Sequence, residues 1–322
     1  MPRRALIVGI NNYENVSTLN SCVADAEAMV EVLSRHQDNS VNFDCRPFLA
    51  PGPERITRVA LRKLWRELFH DFRGDVLFYF SGHGTQTETG GYLVTQEGTP
   101  DDPGLAMDDL AKMANDSSAS TVLIILDCCF SGAAGNPAAL QASFSDGRTV
   151  LREGVTILAA SRGTQAALET GGQSVFTSLV LGALRGGAAD IRGKVSAASI
   201  YGYAESALGS WQQRPLYKSH AANLEPVRLC TPKVTDAELR DLPKYFPHSD
   251  FRYQLDLTYE ETCGAAKPAH VAIFKAFKRL QLAGLLTPIY GDDLYWAAER
   301  SFHVVLTELG RFYWQLVRNG RI

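Results

Sequence analysis

Five short apolar runs, Ala5–Ile10, Phe43–Leu49, Val76–Phe80, Thr121–Asp127 and Val155–Ala160, punctuate the first half of the chain. None alternates cleanly between apolar and polar positions, which is the pattern of strands buried on both faces. Between and after them the apolar positions recur at helical spacing. Val23–His36, Glu54–Phe72 and Leu105–Asn115 read as amphipathic helices, and so do Ser174–Arg185 and Ser196–Leu208, with Ser174 and Ser196 as caps. Strand alternating with helix predicts an α/β layer built on a mainly parallel sheet. The stretch Ala133–Arg152, "AAGNPAALQASFSDGRTVLR", is small, polar and weakly periodic, as a long surface loop would be. The pattern changes again near Cys230–Lys233. Beyond it a helix is expected over Pro268–Ala283, then a short two-stranded stretch turning at "YGDD", then a last helix from Thr307. Two domains are therefore expected, 1–230 and 231–322.

Length and composition narrow the picture without deciding it. A chain of 322 residues with 45% hydrophobic and 21% charged positions can bury a full core. The formal charge of −3 gives no reason to expect a nucleic acid or a membrane as partner. No apolar run approaches the roughly 20 residues that span a bilayer. The opening "MPRRALIVGINNY" reads as a first strand, so a cytoplasmic location is expected. The six cysteines, Cys22, Cys45, Cys128, Cys129, Cys230 and Cys263, show no C-x-x-C spacing for zinc. Most are expected to be buried, reduced thiols.

Two of the strand candidates share a feature. "FYFSGHGTQ" and "LIILDCCFSGAA" each run from apolar residues into a glycine-rich turn, one carrying His83 and the other Cys128 and Cys129. In an open parallel sheet both turns would lie at the carboxyl edge, where ligands bind. A thiol beside an imidazole is a working nucleophile: the base assists thiolate formation and then protonates the leaving amine. Glycines leave backbone N–H groups open to a developing oxyanion. That combination suits acyl transfer.

The pair "SGHG" and "DCCFSG" resembles the motifs of the caspase-like cysteine peptidases, most closely the metacaspase and prokaryotic caspase-like branch. The resemblance extends to "ALIVGINNY", "LNSCVADAEAMVEVL", "ILAASRGTQAALE" and "FTSLVLGAL" in the same order, over about residues 5–220. It implies a caspase-like three-layer sandwich, with His83 as catalytic imidazole, Cys129 as nucleophile, and the backbone N–H groups of Gly84 and Cys129 as oxyanion donors. Cys128 takes the variable position and is assigned to packing. The resemblance also implies that Cys22, Asp25, Ser81 and Asp127 line the pocket for the residue before the scissile bond (P1). Two carboxylates in one hollow favour a cation, so cleavage after Arg is expected, with Lys second. Were both carboxylates merely structural, Arg162 in "SRG" would favour an acidic substrate instead.

Further expectations follow from the family. The loop after the nucleophile is often cut, and Arg148 and Arg152 match the expected specificity as autocleavage sites. A Cys/His pair requires no cofactor. Calcium is an option in this branch, with Asp101, Asp102, Asp108 and Asp109 as weak oxygen-ligand candidates. From Thr231 onward the pattern looks like a winged-helix α+β module. Its 12 Lys and Arg against 11 Asp and Glu lack the basic patch of a DNA binder, so a regulatory protein partner or upstream activator is expected. By analogy, the whole would be a latent peptidase in a prokaryotic signalling or antiviral defence pathway. The rival reading is a caspase-fold scaffold that acts by binding through its C-terminal domain.

Overall fold

The computed structural model describes residues 1–130, 150–160, 169–170, 172–208, 215–220, 225–291 and 293–322, and for 129, 130, 169 and 170 the backbone alone. The chain divides into two units, Met1–Ala189 with Lys194–Cys230, and Asp190–Gly193 with Thr231–Ile322.

The first unit is built on an eight-stranded sheet. Its strands are β1 (Arg3–Ile10), β2 (Asp44–Ala50), β3 (Asp75–Thr87), β4 (Gly90–Val94), β5 (Gly104–Ala106), β6 (Thr121–Phe130), β7 (Val155–Ala159) and β8 (Leu216–His220). The order is β8-β7-β6-β3-β1-β2, with β4 paired to β3 and β5 to β4. β2, β1, β3, β6 and β7 run parallel, while β4, β5 and β8 add antiparallel pairs. The expectation of a mainly parallel α/β sheet holds.

Helices cover both faces, as a parallel sheet requires. Helix α1 (Cys22–Ser34) carries Ala26, Met29 and Leu33 onto one face, against Ile7, Leu77, Tyr79 and Ile125. Helix α4 (Val175–Gly182) joins that layer through Phe176, Val180 and Leu181, and helix α5 (Ala197–Leu208) through Ile200. The opposite face is covered by α2 (Arg58–Phe69) and α3 (Met107–Asp116), whose Leu61, Leu64, Trp65, Leu110 and Ala114 pack on Leu6, Val8, Phe78, Phe80 and Ile124. Trp65 meets Phe78 edge-on at 5.6 Å between ring centroids. Helix α2 is shorter than its periodicity suggests: Thr57 caps it by accepting from the Ala60 N–H at 3.1 Å, so Glu54–Thr57 lie outside.

Two further differences from the sequence pattern matter. The "SGHG" segment does not leave the sheet. β3 continues through it to Thr87, because Gly84–Thr87 pair with Gly90–Leu93 in the β3–β4 hairpin. β6 likewise carries on past Asp127 to Phe130. In the second unit, the strands Leu286–Pro288 and His303–Leu306 do pair antiparallel, yet they are not joined by a tight turn at "YGDD". A helix, Leu294–Glu299, intervenes; Asp293 caps it by accepting from the Tyr295 N–H at 2.6 Å. Tyr253–Gln254 completes this three-stranded sheet. Its core is formed by Leu239, Phe246, Phe277, Leu285 and Val304, and Ile191 contributes to the same cluster.

Candidate active site

The strand order reverses between β1 and β3. From β1 the chain turns through α1 to β2 on one side; from β2 it crosses back through α2 to β3 on the other. In open parallel sheets, ligands bind at such a switch point, beyond the carboxyl ends of the strands. The segment after β1 and the extension of β3 meet there. Tyr13 receives the His83 backbone N–H on its hydroxyl at 2.8 Å, and its ring lies tilted against the imidazole at 4.8 Å. A Cβ on Gly82 would sit 2.6 Å from the Tyr13 hydroxyl, so only glycine lets Tyr13 lie across this turn of strand.

His83 is buried, with 4% of its surface exposed. Its Nε2 lies 2.8 Å from the Ser17 carbonyl oxygen. A carbonyl can only accept, so Nε2 carries the proton and donates it. In the neutral ring Nδ1 is then a lone-pair acceptor, and among the described residues it has no hydrogen-bond partner. Burial pushes the His83 pKa below its ordinary value, and the Ser17 contact partly opposes this. The register neighbour of His83 on β6 is Cys129. Adjacent strands lie about 4.8 Å apart, so the two backbone positions are side by side.

Two places earlier in the same ladder, Ser81 neighbours Asp127. Residues two apart on a strand share a face, here the face covered by α1 and α4. α1 contributes Asp25, which is fully buried, and Asp127 is 2% exposed. α1 can start this close to the sheet because β1 offers Gly9, where a Cβ would come within 2.4 Å of the Cys22 carbonyl oxygen. Ser81 donates to Asp25 at 3.4 Å. Ser174, the cap of α4, touches both carboxylates. Its N–H donates to Asp25 at 3.1 Å and its hydroxyl to Asp127. Thr177 adds a 2.6 Å hydrogen bond to Asp127. Since its proton goes to Asp127, the 2.6 Å contact between Thr177 and the Tyr79 hydroxyl has Tyr79 as donor. Burial, then the charges of Asp127 and Asp25, hold the Tyr79 phenol well above its ordinary range, so it stays protonated.

The remaining candidates divide. Cys22 is buried at the first position of α1, and Cys128 is buried in the core layer with α2 and α3, on the face away from Asp127. Gly84 is a ladder residue, in register with Phe130 on one side and Leu93 on the other. Arg152 is not an open loop residue. Its guanidinium donates to the Ala119 and Glu153 carbonyls and the Ser117 hydroxyl, and its backbone N–H donates to Asn115. It staples the chain to the C-terminal end of α3. Arg148 lies outside the described residues, as does Arg162. Asp102 and Asp109 are held by Arg58 and Arg62, and with Asp101 and Asp108 they form no group of three that could hold a metal. Sequence reasoning missed Tyr13, Ser17 and Thr177, and it saw Ser174 only as a cap. Tyr13 stands inside the quoted "NNY", but nothing in the pattern says that it crosses to β3.

A model of the Caspase domain matches residues 2–223. The chain belongs to the caspase-domain family. That family consists of cysteine peptidases, and His83, Asp25 and Asp127 all lie within the matched residues. The crystal structure of protein GSU0716 from Geobacter sulfurreducens is similar at 17% identity, with a TM-score of 0.54 over 71% of this chain and the whole of that one. At that identity the likeness shows the fold alone. No curated protein matches the chain significantly. Among the described residues, no helix of this caspase-domain protein is long and apolar enough to cross a membrane.

Proposed function

We propose that the protein is a cysteine endopeptidase that cleaves after Arg, with Lys second, through His83 and Cys129. The observation that carries this reading is the state of His83: Nε2 is tied to Ser17, which leaves Nδ1 as a buried base in register with Cys129. In the reaction, Nδ1 takes the Cys129 proton and the thiolate attacks the scissile carbonyl carbon. The oxyanion is received by the backbone N–H groups of Gly84 and Cys129. Collapse breaks the C–N bond, the imidazolium gives its proton to the leaving amine, and a thioester remains. Water, deprotonated by Nδ1, then releases the acid.

Asp25 and Asp127, with Ser81 and Cys22 beside them, supply the negative wall for the P1 side chain. The partners are accordingly proteins with a basic P1 residue, and Arg148 and Arg152 are the candidates for self-cleavage. The test is a panel of fluorogenic peptides ending in Arg, Lys or Asp, offered to wild type and Cys129→Ala. Turnover of the Arg peptide above the Lys and Asp peptides, lost in Cys129→Ala, supports the reading. Equal turnover by both proteins removes the nucleophile, and faster cleavage after Asp removes the pocket.

A further inference from the structure

Asp25 and Asp127 come from different elements, a helix and a strand, and two buried carboxylates repel one another. Something must hold them together as one site. Ser174 touches both: its N–H serves the Asp25 carboxylate (3.1 and 3.4 Å to the two oxygens) and its hydroxyl serves Asp127. Thr177, one turn along α4, doubles the grip on Asp127 and is itself oriented by the Tyr79 hydroxyl. All these donors are neutral, so they fix the carboxylates without cancelling their charge. They also belong to the first turn of a helix, whose dipole favours nearby anions.

From this bridge we infer that Ser174, supported by Thr177, is the positioning residue that sets the preference of the site for a guanidinium over an ammonium. The inference rests on the reading of Asp25 and Asp127 as the P1 pocket. A guanidinium is a rigid, planar fork that gains from two acceptors held at fixed separation. A lysine ammonium is a compact charge on a flexible stem and tolerates acceptors that drift. Cutting the bridge therefore weakens arginine binding more than lysine binding. It leaves the bond-making groups at His83 and Cys129 untouched.

The experiment compares wild type, Ser174→Ala, Ser174→Thr and Thr177→Val on matched Arg and Lys reporters. Agmatine binding to the same variants in the Cys129→Ala background is measured by calorimetry. Expected for Ser174→Ala is a KM for the Arg reporter raised about tenfold or more, the scale of losing a hydrogen bond to a charged group. kcat changes little, the Arg-to-Lys ratio falls, and agmatine binding weakens in step. Ser174→Thr restores all three. Thr177→Val, which keeps the Ser174 cap, shifts them in the same direction by less. Unchanged KM, ratio and agmatine affinity in Ser174→Ala overturn the inference while the arginine pocket stands. A parallel fall of kcat and thermal midpoint with the ratio unmoved makes Ser174 a fold brace and also overturns it. A wild type that neither cleaves after Arg nor binds agmatine removes the pocket itself, and this inference with it.

Discussion

At the scale of the residue, the proposed mechanism makes one imidazole sensitive to pH. In the proposed mechanism His83 acts as a base only when Nδ1 is unprotonated, and burial sets its pKa below the ordinary value near 6.5. The acid limb of kcat/KM is therefore expected below pH 6.5 in a pH–rate profile; a limb above 7 would contradict the buried, Ser17-tied ring. The same shift bears on stability. Because the folded pKa lies below the unfolded one, the unfolded chain binds the proton more readily between the two values. The contribution of His83 to stability is then greatest above about pH 6.5 and is lost as the pH drops through the folded pKa. A chemical-denaturation series in that window should show a smaller loss for His83→Gln than for wild type. Tyr13→Phe tests the other side of the ring. It removes the acceptor of the His83 N–H and should cost about 1–3 kcal/mol in denaturation, with a fall in kcat.

Among the elements, β3 shows what a sequence pattern conveys and where it stops. Val76–Phe80 is legible as a strand because apolar, aromatic and β-branched residues have no other economical place than between two helical layers. His83 and Cys129 are legible as a candidate pair because each follows an apolar run in a glycine-rich segment that resembles the caspase-like motifs. The continuation of β3 through Gly82 and Gly84 is not legible: glycine ordinarily reads as a break, and it takes the extended β6 ladder, the β4 hairpin and the Tyr13 crossing to keep it in the sheet. Gly82→Ala would drive a methyl against the Tyr13 hydroxyl and the Phe80 ring. The expected loss is about 1–3 kcal/mol, with kcat/KM falling further as Tyr13 leaves His83. Arg152 makes the converse point, since its partners on α3 are distant in sequence and an arginine near a polar loop reads as exposed. Arg152→Ala should lower the thermal midpoint in a melting experiment, because the contacts to Ser117, Ala119 and Asn115 are lost or loosened.

Taken as a whole molecule, the chain does not simply pass from one unit to the next at Cys230. It leaves the first unit at Ala189, lends Asp190–Gly193 to the second, and returns at Lys194. No periodicity announces four residues that belong to a core assembled from positions beyond 231. Their place is nonetheless well defined. Ile191 is 7% exposed within the second unit's core, and its carbonyl receives the N–H groups of Lys233 and Val234 at 3.0 and 3.3 Å. Arg192 clasps Asp236 through two hydrogen bonds of 3.0 and 2.8 Å. Asp236 in turn opens a helix that begins with a capping box between Thr235 and Glu238. The second unit is therefore incomplete without a strap from the first unit's stretch of sequence. Ile191→Ala should destabilise it by about 2–5 kcal/mol, the scale of emptying a buried isoleucine site. Hydrogen exchange resolved by peptide gives the reading: protection should fall in Leu239–Phe246 and Phe274–Leu286 while β3 and β6 keep theirs. Equal loss in both units would mean that they unfold as one, and no loss in either would mean that Ile191 is not a core residue.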